Sequence, residues 1–224
     1  MRPPGWAGGH SSAAMSGDSG IQLRIWSHAG SLYRHLGRPS DARAANDVAR
    51  NLPIARRDPL FASLGHARHA AIHGLTGDTN AVRRSLGHAQ DALDRADPVA
   101  SRPLRITAFY DQSELDSLAL AAYLSVGSWE EVEARAHRSM ALRRGAMQRS
   151  RTITTVRLAH AQLGQGDLEP AIATAMSVPA EVSTHPRITG MLNAFGTKLG
   201  DVAAGSGPAR TWAEYAHNTR RTTA

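Results

Sequence analysis

The sequence contains no cysteine in its 224 residues and no long run of apolar residues. Without cysteine there are no disulfide bridges and no thiolate metal sites, and the composition agrees with a reducing compartment such as the cytoplasm. No apolar stretch approaches the roughly 20 residues that a membrane-spanning helix needs. The first residues also lack the apolar segment of a secretory signal. We therefore expect a cytoplasmic protein with no membrane partner.

Aromatic residues and lysine are scarce. Aromatic side chains make up 5% of the chain, which predicts a core built mainly from alanine and leucine. Lysine occurs once, as Lys198, among 26 basic residues. A formal charge of +7 agrees with nucleic-acid binding. However, such uniform use of arginine is more typical of a codon bias than of a selected phosphate-binding stripe.

The arginine clusters are short and scattered along the chain, which favours solvated helix ends over a nucleic-acid surface. Direct nucleic-acid binding through these residues stays as an alternative, because arginine clusters give sequence-independent affinity for phosphates. The clusters are Arg56-Arg57, Arg143-Arg144, Arg149 with Arg151, and Arg220-Arg221.

Recognisable catalytic motifs are missing as well. No G-x-S-x-G nucleophile elbow occurs. The segment from Gly190 to Lys198 is only superficially similar to a phosphate-binding loop, because Thr197 separates the last glycine from the lysine and no strand is predicted before it. We therefore predict that the protein is not an enzyme and that it uses no cofactor.

What the sequence does contain is a series of helical segments around recurring glycines. Residues Leu64–Leu93 hold two segments with apolar residues at helical spacing, joined by a short turn at Gly77. One antiparallel helix pair cannot bury both of its faces, so it requires stacked neighbours. Comparable segments flank other glycines, which predicts four helix breaks, at Gly37, Gly77, Gly127 and Gly166. A small residue stands seven positions before each of three of these breaks, which predicts close helix packing. These residues are Gly30, Ala70 and Ala159.

Caps and prolines predict where the helices begin and end. The first helix is predicted to start near Ile21, and Pro53 to stop the second helix, which includes Val48 on its apolar side. Asp58-Pro59 is predicted to start the next helix. Asp111 is predicted to start a later one, because it stands at capping-box spacing from Glu114.

In the C-terminal half, Asp167 is predicted to cap the helix after Gly166, and Pro179 to close it. One more helix is predicted from Ile188 to Val202, and a glycine-rich stretch at 205–208 separates it from a short segment at Thr211–Thr219. The chain as a whole is predicted to have a disordered segment at 1–20, a helical repeat region at 21–203, and a short helix with a frayed tail at 204–224.

These segments resemble known repeats. The repeated small–Tyr–Gly–Asp–Ala pattern is similar to tetratricopeptide (TPR) repeats, although the usual period of about 34 residues is stretched here. Over roughly Ile21 to Tyr215, the chain resembles the TPR-like C-terminal half of actinobacterial Cro/CI-type helix-turn-helix transcriptional regulators. The segments that carry this resemblance are LGRPSDARAA (36–45), HGLTGDTNAV (73–82), FYDQSEL (109–115) and RTITTVRLAHAQLGQGDLEPAI (151–172).

The resemblance implies an all-α fold, a right-handed TPR-like α-solenoid of about four helix-turn-helix pairs with C-terminal capping helices. It also implies a non-catalytic interaction or sensor module that binds a peptide, a protein or a small signal molecule in a concave groove. Regulators of this family normally carry an N-terminal DNA-binding domain, so we expect contact with DNA only through a domain absent from this chain. A truncated product, a misplaced start codon and a standalone adaptor are three explanations that stay open. A protein or peptide partner is expected, and a homodimer is an open alternative.

In TPR arrays the first helix of each pair lines the concave surface. By resemblance, this surface is expected to include eight side chains: Ser27, Ser31, Arg34, His66, His73, Glu114, Ser117 and His160. Arg34 is expected to form a bidentate pair with a peptide carboxylate. For each single residue, the competing interpretation is an ordinary solvated helix face.

Three histidines stand close together on one predicted helix. His66, His69 and His73 share an arc of roughly 60° on a helical wheel. Such a cluster can bind a zinc ion or change its charge near pH 6. The alternative is that the three side chains pack between helices as neutral imidazoles. No carboxylate lies in the same stretch and Arg68 stands among the histidines, so we predict no metal site.

Overall fold

The computed structural model describes residues 18–97, 99–100, 110–142 and 148–222. All regular elements in these ranges are α-helices, as the sequence predicted. Most of the segment predicted to be disordered lies outside the described residues, as do Phe109 and Arg143-Arg144. None of the described helices combines the length and the apolar character that a membrane span requires. The contacts divide the chain into two compact units, Met1–Val126 and Gly127–Ala224.

The helices described in the first unit are α1 (Ser19–His35), α2 (Pro39–Asn51), α3 (Pro53–Arg57), α4 (Pro59–Gly74), α5 (Thr79–Asp94) and α6 (Gln112–Ser125). Those described in the second unit are α7 (Trp129–Leu142), α8 (Gln148–Gln165), α9 (Leu168–Met176), α10 (Ala180–Ser183), α11 (Pro186–Ala203) and α12 (Gly207–Thr222).

The four predicted helix breaks are confirmed as turns between helices. Their glycines have positive φ angles, a backbone conformation that glycine adopts without steric cost: Gly37 (66°), Gly77 (73°), Gly127 (70°) and Gly166 (91°). At three of these turns the amide after the glycine donates to the carbonyl five residues earlier, as in a Schellman motif. These bonds are Arg38 to Tyr33 (2.9 Å), Asp78 to His73 (3.3 Å) and Asp167 to Gln162 (2.9 Å). The same local turn therefore recurs along the chain.

Small residues let the helices of the first unit pack closely. A Cβ atom on Gly30 of α1 would lie 3.3 Å from the carbonyl oxygen of Ala42 in α2. On Gly74 of α4 it would lie 3.0 Å from the carbonyl oxygen of Ala122 in α6. Helix α4 packs against α2, α5 and α6, and its Ala67 and Ala70 are fully buried. The alanine-rich core that the shortage of aromatic residues predicted is present in this unit.

The helix starts at Asp58 and Asp111 are confirmed. The carboxylate of Asp58 accepts the amide of Leu60 at 2.9 Å, and that of Asp111 accepts the amide of Glu114 at 3.1 Å. Each bond satisfies a helix N–H that has no partner within the helix. The sequence therefore specified where α4 and α6 begin.

One expectation for the first unit was wrong, and one short helix was not predicted. Helix α2 ends before Pro53, as predicted, but Pro53 also begins the short helix α3, as proline at the first helical position can. Ala55 of α3 packs with Leu23 of α1 and Phe61 of α4, so α3 covers apolar surface at this end of the unit. Val48 was expected on the apolar side of α2, but it is 40% exposed.

In the second unit, α8 packs against α7, α9 and α11. Phe195 of α11 contacts Trp212 of α12 edge to face, with 4.9 Å between the ring centroids. Trp212 lies directly on Gly196, where a Cβ atom would come within 2.5 Å of the indole nitrogen. The absence of a side chain at Gly196 thus allows α12 to pack on α11.

The predictions for this unit need three corrections. Asp167 occupies the N-cap position of α9, but its exposed side chain makes no capping hydrogen bond. The short helix α10 follows Pro179 and was not predicted. Helix α12 begins at Gly207, inside the stretch expected to be a linker, because the hydroxyl of Ser206 accepts the amide of Ala209 at 3.1 Å.

Candidate functional site

Arg68 on α4 is the most unusual charged residue of the first unit. Its Nη1 atom is buried and has no hydrogen-bond partner, whereas the residue as a whole is only partly buried. A buried polar atom without a partner is destabilising, and native proteins contain few of them.

Charged residues from two other helices act on Arg68. Burial lowers the pKa of Arg68 to about 10, Tyr110 and Glu114 oppose this change, and the positive charge of Arg34 adds to it. Arg68 therefore remains protonated at neutral pH. Arg34 lies on α1 and Glu114 on α6, so three helices contribute charge here. We call Arg34, Arg68, Tyr110 and Glu114 the Arg68 site.

Tyr110, the residue two before α6, is held by a chain of hydrogen bonds. The hydroxyl of Ser63 donates to the carbonyl of Ala89 at 2.7 Å and lies 2.9 Å from the hydroxyl of Tyr110. Since the Ser63 proton is used, the Tyr110 hydroxyl must be the donor of the second bond. Burial raises the pKa of Tyr110 well above its usual range. The Tyr110 side chain is therefore neutral at neutral pH, and its hydroxyl proton is already used in a hydrogen bond within the protein.

His28 on α1 lies near the same group. Partial burial, and then the positive charges of Arg68 and Arg24, lower its pKa from the usual 6.5. The imidazole is consequently neutral at neutral pH. Of the described residues, Arg34 adds a positive charge that acts on Arg68.

Two of the predicted site residues, Arg34 and Glu114, thus lie around Arg68. Arg68 was not among the predicted site residues, and the sequence marked it only as a neighbour of histidines. Ser27 and Ser117 are buried, and the Ser31 hydroxyl donates to the carbonyl of Ser27 at 3.1 Å. Such bonds within a helix satisfy serine locally.

The histidines of α4 occupy other faces of the helix. Positions 66 and 73 stand about 160° and 140° from position 68 on a helical wheel. His66 Nδ1 lies 3.3 Å from Nη2 of Arg50 in α2, and its ring centroid is 5.4 Å from that of His88 in α5. The predicted site residues His66 and His73 therefore lie away from the Arg68 guanidinium.

His69 and His73 contact each other, with ring centroids 4.5 Å apart. Burial, followed by the charge of Arg50, lowers the pKa of both His66 and His69 to about 4. Both imidazoles are neutral at pH 7, which agrees with the alternative of neutral packing between helices. In the ranges given above, no group of three or more metal-ligating side chains is arranged to hold an ion.

His160, the remaining predicted site residue, lies in the second unit. Its Nε2 atom is 3.1 Å from the carbonyl oxygen of Met191, and its ring meets Phe195 edge to face at 5.6 Å. Since a carbonyl can only accept, Nε2 carries the proton. His160 thus links α8 to α11.

The second unit also has an open apolar groove of about 700 Å³ between α9 and α12. None of its residues was among the predicted site residues. They are Glu169, Ile172, Ala173, Met176, Ser177, Gly207, Pro208 and Thr211.

No family model, no curated protein and no solved structure matches this chain. Among its described features, only the Arg68 site combines predicted site residues with an unsatisfied buried donor.

Proposed function

We propose that this chain is a non-catalytic, TPR-like interaction and sensor module, as in the C-terminal halves of helix-turn-helix transcriptional regulators. In this proposal the face formed by α1, α4 and α6 binds a peptide, a protein or a small signal molecule. The observation that carries the proposal is the Arg68 site. Its charged residues Arg34, Arg68 and Glu114 come from three different helices, α1, α4 and α6.

The packing of the first unit supports the TPR-like part of the proposal. In a solenoid, each helix pair contacts the pair before it and the pair after it. Helix α4 contacts α2 of the preceding pair, its own partner α5, and α6, which follows. The glycine turns at Gly37 and Gly77 share the same hydrogen bonds, as repeated units would.

A ligand screen on the full chain tests the binding function. Wild-type protein is heated with defined libraries of short peptides and of small metabolites, and the unfolding temperature is measured. At a ligand concentration of 100 times Kd, stabilisation of about 2.7 kcal/mol is expected. Absence of stabilisation by every member of both libraries would count against a ligand-binding module.

The same screen with Arg68→Met places the binding face. The matched control is Arg83→Met, because Arg83 is an exposed arginine on α5. Stabilisation is expected to disappear in Arg68→Met and to persist in Arg83→Met. Equal stabilisation of the two variants would place the ligand elsewhere on the protein.

The link to transcription has a separate test. The genomic DNA upstream of the Met1 codon is sequenced and the transcript start is mapped. An in-frame helix-turn-helix segment is expected if the chain is the sensor half of a regulator. A stop codon directly upstream would contradict the regulator and leave a freestanding interaction module.

A further inference from the structure

We infer that the groove between α9 and α12 binds a small apolar molecule that carries one positively charged amine. The groove belongs to the second unit, so this binding function is additional to the one proposed for α1, α4 and α6. Its volume is about 700 Å³, and ligand pockets in proteins have volumes of roughly 300–1,000 Å³. The size of the groove therefore suits a small organic molecule.

Apolar side chains from both helices form much of the groove wall. Ile172 and Met176 come from α9, and Pro208 comes from α12. Burial of apolar ligand surface against such side chains is favourable, and the flexible side chain of methionine adapts to ligands of different shapes. The body of the ligand is therefore apolar.

The polar side chains that line the groove act as hydrogen-bond acceptors. They are Glu169, Ser177 and Thr211. The hydroxyl of Ser177 donates to the carbonyl of Thr174 at 2.7 Å. The hydroxyl of Thr211 donates to the carbonyl of Gly207 at 3.2 Å. Since each hydroxyl has one proton, both oxygen atoms are left as acceptors, and a ligand must supply the donors.

Glu169 favours a ligand with a positive charge. It is exposed, and it makes no hydrogen bond or ion pair with any residue that the structure describes. The other seven residues that line the groove are uncharged. A primary ammonium group has three N–H donors and no acceptor, so it matches acceptors that include one carboxylate. The polar end of the ligand is therefore an amine.

The N-terminus of α12 offers little attraction for an anion. Pro208 has no N–H. The amide of Ala209 donates to the hydroxyl of Ser206, and that of Arg210 donates to the carbonyl of Ser206. Of the first four residues of α12, Gly207 alone keeps an amide without a partner. A carboxylate ligand would thus find one backbone donor at this end of the groove.

The groove is too short for a protein partner. From Glu169 to Ser177, α9 rises about 12 Å, at roughly 1.5 Å per residue, and eight residues line the groove. Stable protein interfaces use roughly 20–30 residues on each side. A helix of a partner protein would lie mostly outside the groove, whereas a small molecule fits within it.

The experiment titrates the full chain, labelled with carbon-13 at the methionine methyl groups, with matched probes. NMR follows the methyl signal of Met176, which lines the groove. Three apolar bodies are each tested as the amine, the alcohol and the carboxylate. The probes are hexylamine, hexanol and hexanoate; phenethylamine, phenethyl alcohol and phenylacetate; and tryptamine, tryptophol and indole-3-acetate. Methylamine is the probe that has an amine and almost no apolar body.

Two variants test the groove, and each has a matched control on α12. Ala173→Trp fills the groove, because Ala173 is exposed and lines it. Its control is Ala213→Trp, at an exposed position that does not line the groove. Glu169→Gln removes the charge and keeps the shape of the side chain. Its control is Glu214→Gln, which removes an exposed charge outside the groove.

The amines are expected to shift the Met176 signal to saturation and to bind about 3–5-fold more tightly than the matched alcohols, as one exposed ion pair allows. The carboxylates should bind more weakly than the alcohols, and methylamine should produce no shift. Ala173→Trp should weaken amine binding at least ~10-fold, because the indole takes the place of the apolar body. Glu169→Gln should bind amines about 3–5-fold more weakly. Both controls should bind as the wild type does.

Three results would overturn the inference. If alcohols or carboxylates bind as tightly as amines, the class of ligand is wrong. Unchanged amine affinity in Ala173→Trp or in Glu169→Gln shows that the amine binds elsewhere. A Met176 signal that no amine shifts removes the site altogether. Each of these results leaves the proposed function intact, because Arg68→Met tests that function separately.

Discussion

The side-chain amide of Asn46 in α2 lies 3.1 Å from Nδ1 of His69 in α4, and both side chains are buried. The same amide nitrogen lies 3.2 Å from the carbonyl oxygen of Gly65. A carbonyl only accepts, so the nitrogen of Asn46 faces α4 and donates one hydrogen to each partner. Nδ1 of His69 must then be unprotonated, and this residue pair joins two successive helix pairs only while the imidazole is neutral.

Asn46→Ala should therefore destabilise the first unit. The substitution leaves the Gly65 carbonyl and the His69 ring without their donor, and a loss of about 2–3 kcal/mol in the free energy of unfolding is expected. Urea denaturation measures it. The control is Asn51→Ala at the exposed end of α2, where a change within about 0.5 kcal/mol is expected. Equal losses in the two variants would refute the role given to Asn46.

Stability should fall when the pH is lowered from about 6.5 to about 4. The pKa values of His66 and His69 are about 4 in the folded protein, against about 6.5 in an unfolded chain. In this interval the unfolded state binds more protons, so acid favours unfolding. The surrounding charges are those of Arg50, Arg43 and Asp47, and His73 and His88 are the neighbouring rings.

The measurement compares urea midpoints at pH 7 and pH 5 in three proteins. His69→Gln removes one titrating group and should show a smaller loss between the two pH values than the wild type. His137→Gln is the control, since His137 is exposed on α7, and its pH dependence should match the wild type. A His69→Gln protein with the full loss would show that this imidazole is not responsible.

Arg68→Met should increase the stability of the protein without ligand. The substitution removes a partly buried charge with an unsatisfied donor and keeps a side chain of similar length, so a gain of about 1 kcal/mol is expected. Arg83→Met at an exposed position should change stability by less than about 0.5 kcal/mol. Thermal unfolding distinguishes the two. If Arg68→Met unfolds at a lower temperature, Arg68 has a structural role that its contacts do not reveal.

Two helical glycines should respond in opposite ways to alanine. In Gly74→Ala the new methyl group would meet the backbone of α6 at 3.0 Å, and a loss of about 1–2 kcal/mol is expected from overpacking. Gly87 on α5 has nothing within 4 Å of a Cβ position, so Gly87→Ala should gain up to about 1 kcal/mol through helix propensity. Chemical denaturation of both variants tests the close contact between α4 and α6. A neutral Gly74→Ala would contradict it.

Much of the fold could be predicted because its signals are local. The positive φ angles at Gly37 and Gly77 and the cap at Asp58 involve residues only a few positions apart. Helix α3 and the start of α12 were missed because proline and glycine were taken as breaks, whereas Pro53 and Gly207 each begin a helix.

The candidate site was predicted only in part. The resemblance selected Arg34 and Glu114 from their helices, and both act on Arg68. Arg68 could not be singled out, because the burial of its Nη1 atom depends on packing between segments that are distant in the sequence. Periodicity shows which face of α4 is apolar. It does not show that the Nη1 atom of Arg68 becomes buried when the chain folds.

The repeated glycine turns have a consequence for how the protein is made. Each turn at Gly37, Gly77 and Gly166 is closed by hydrogen bonds between residues at most five positions apart, and the two helices that it joins are consecutive. Contacts of such short sequence separation form quickly during folding. During synthesis, α1 and α2 can therefore come together while the later helices are still inside the ribosome.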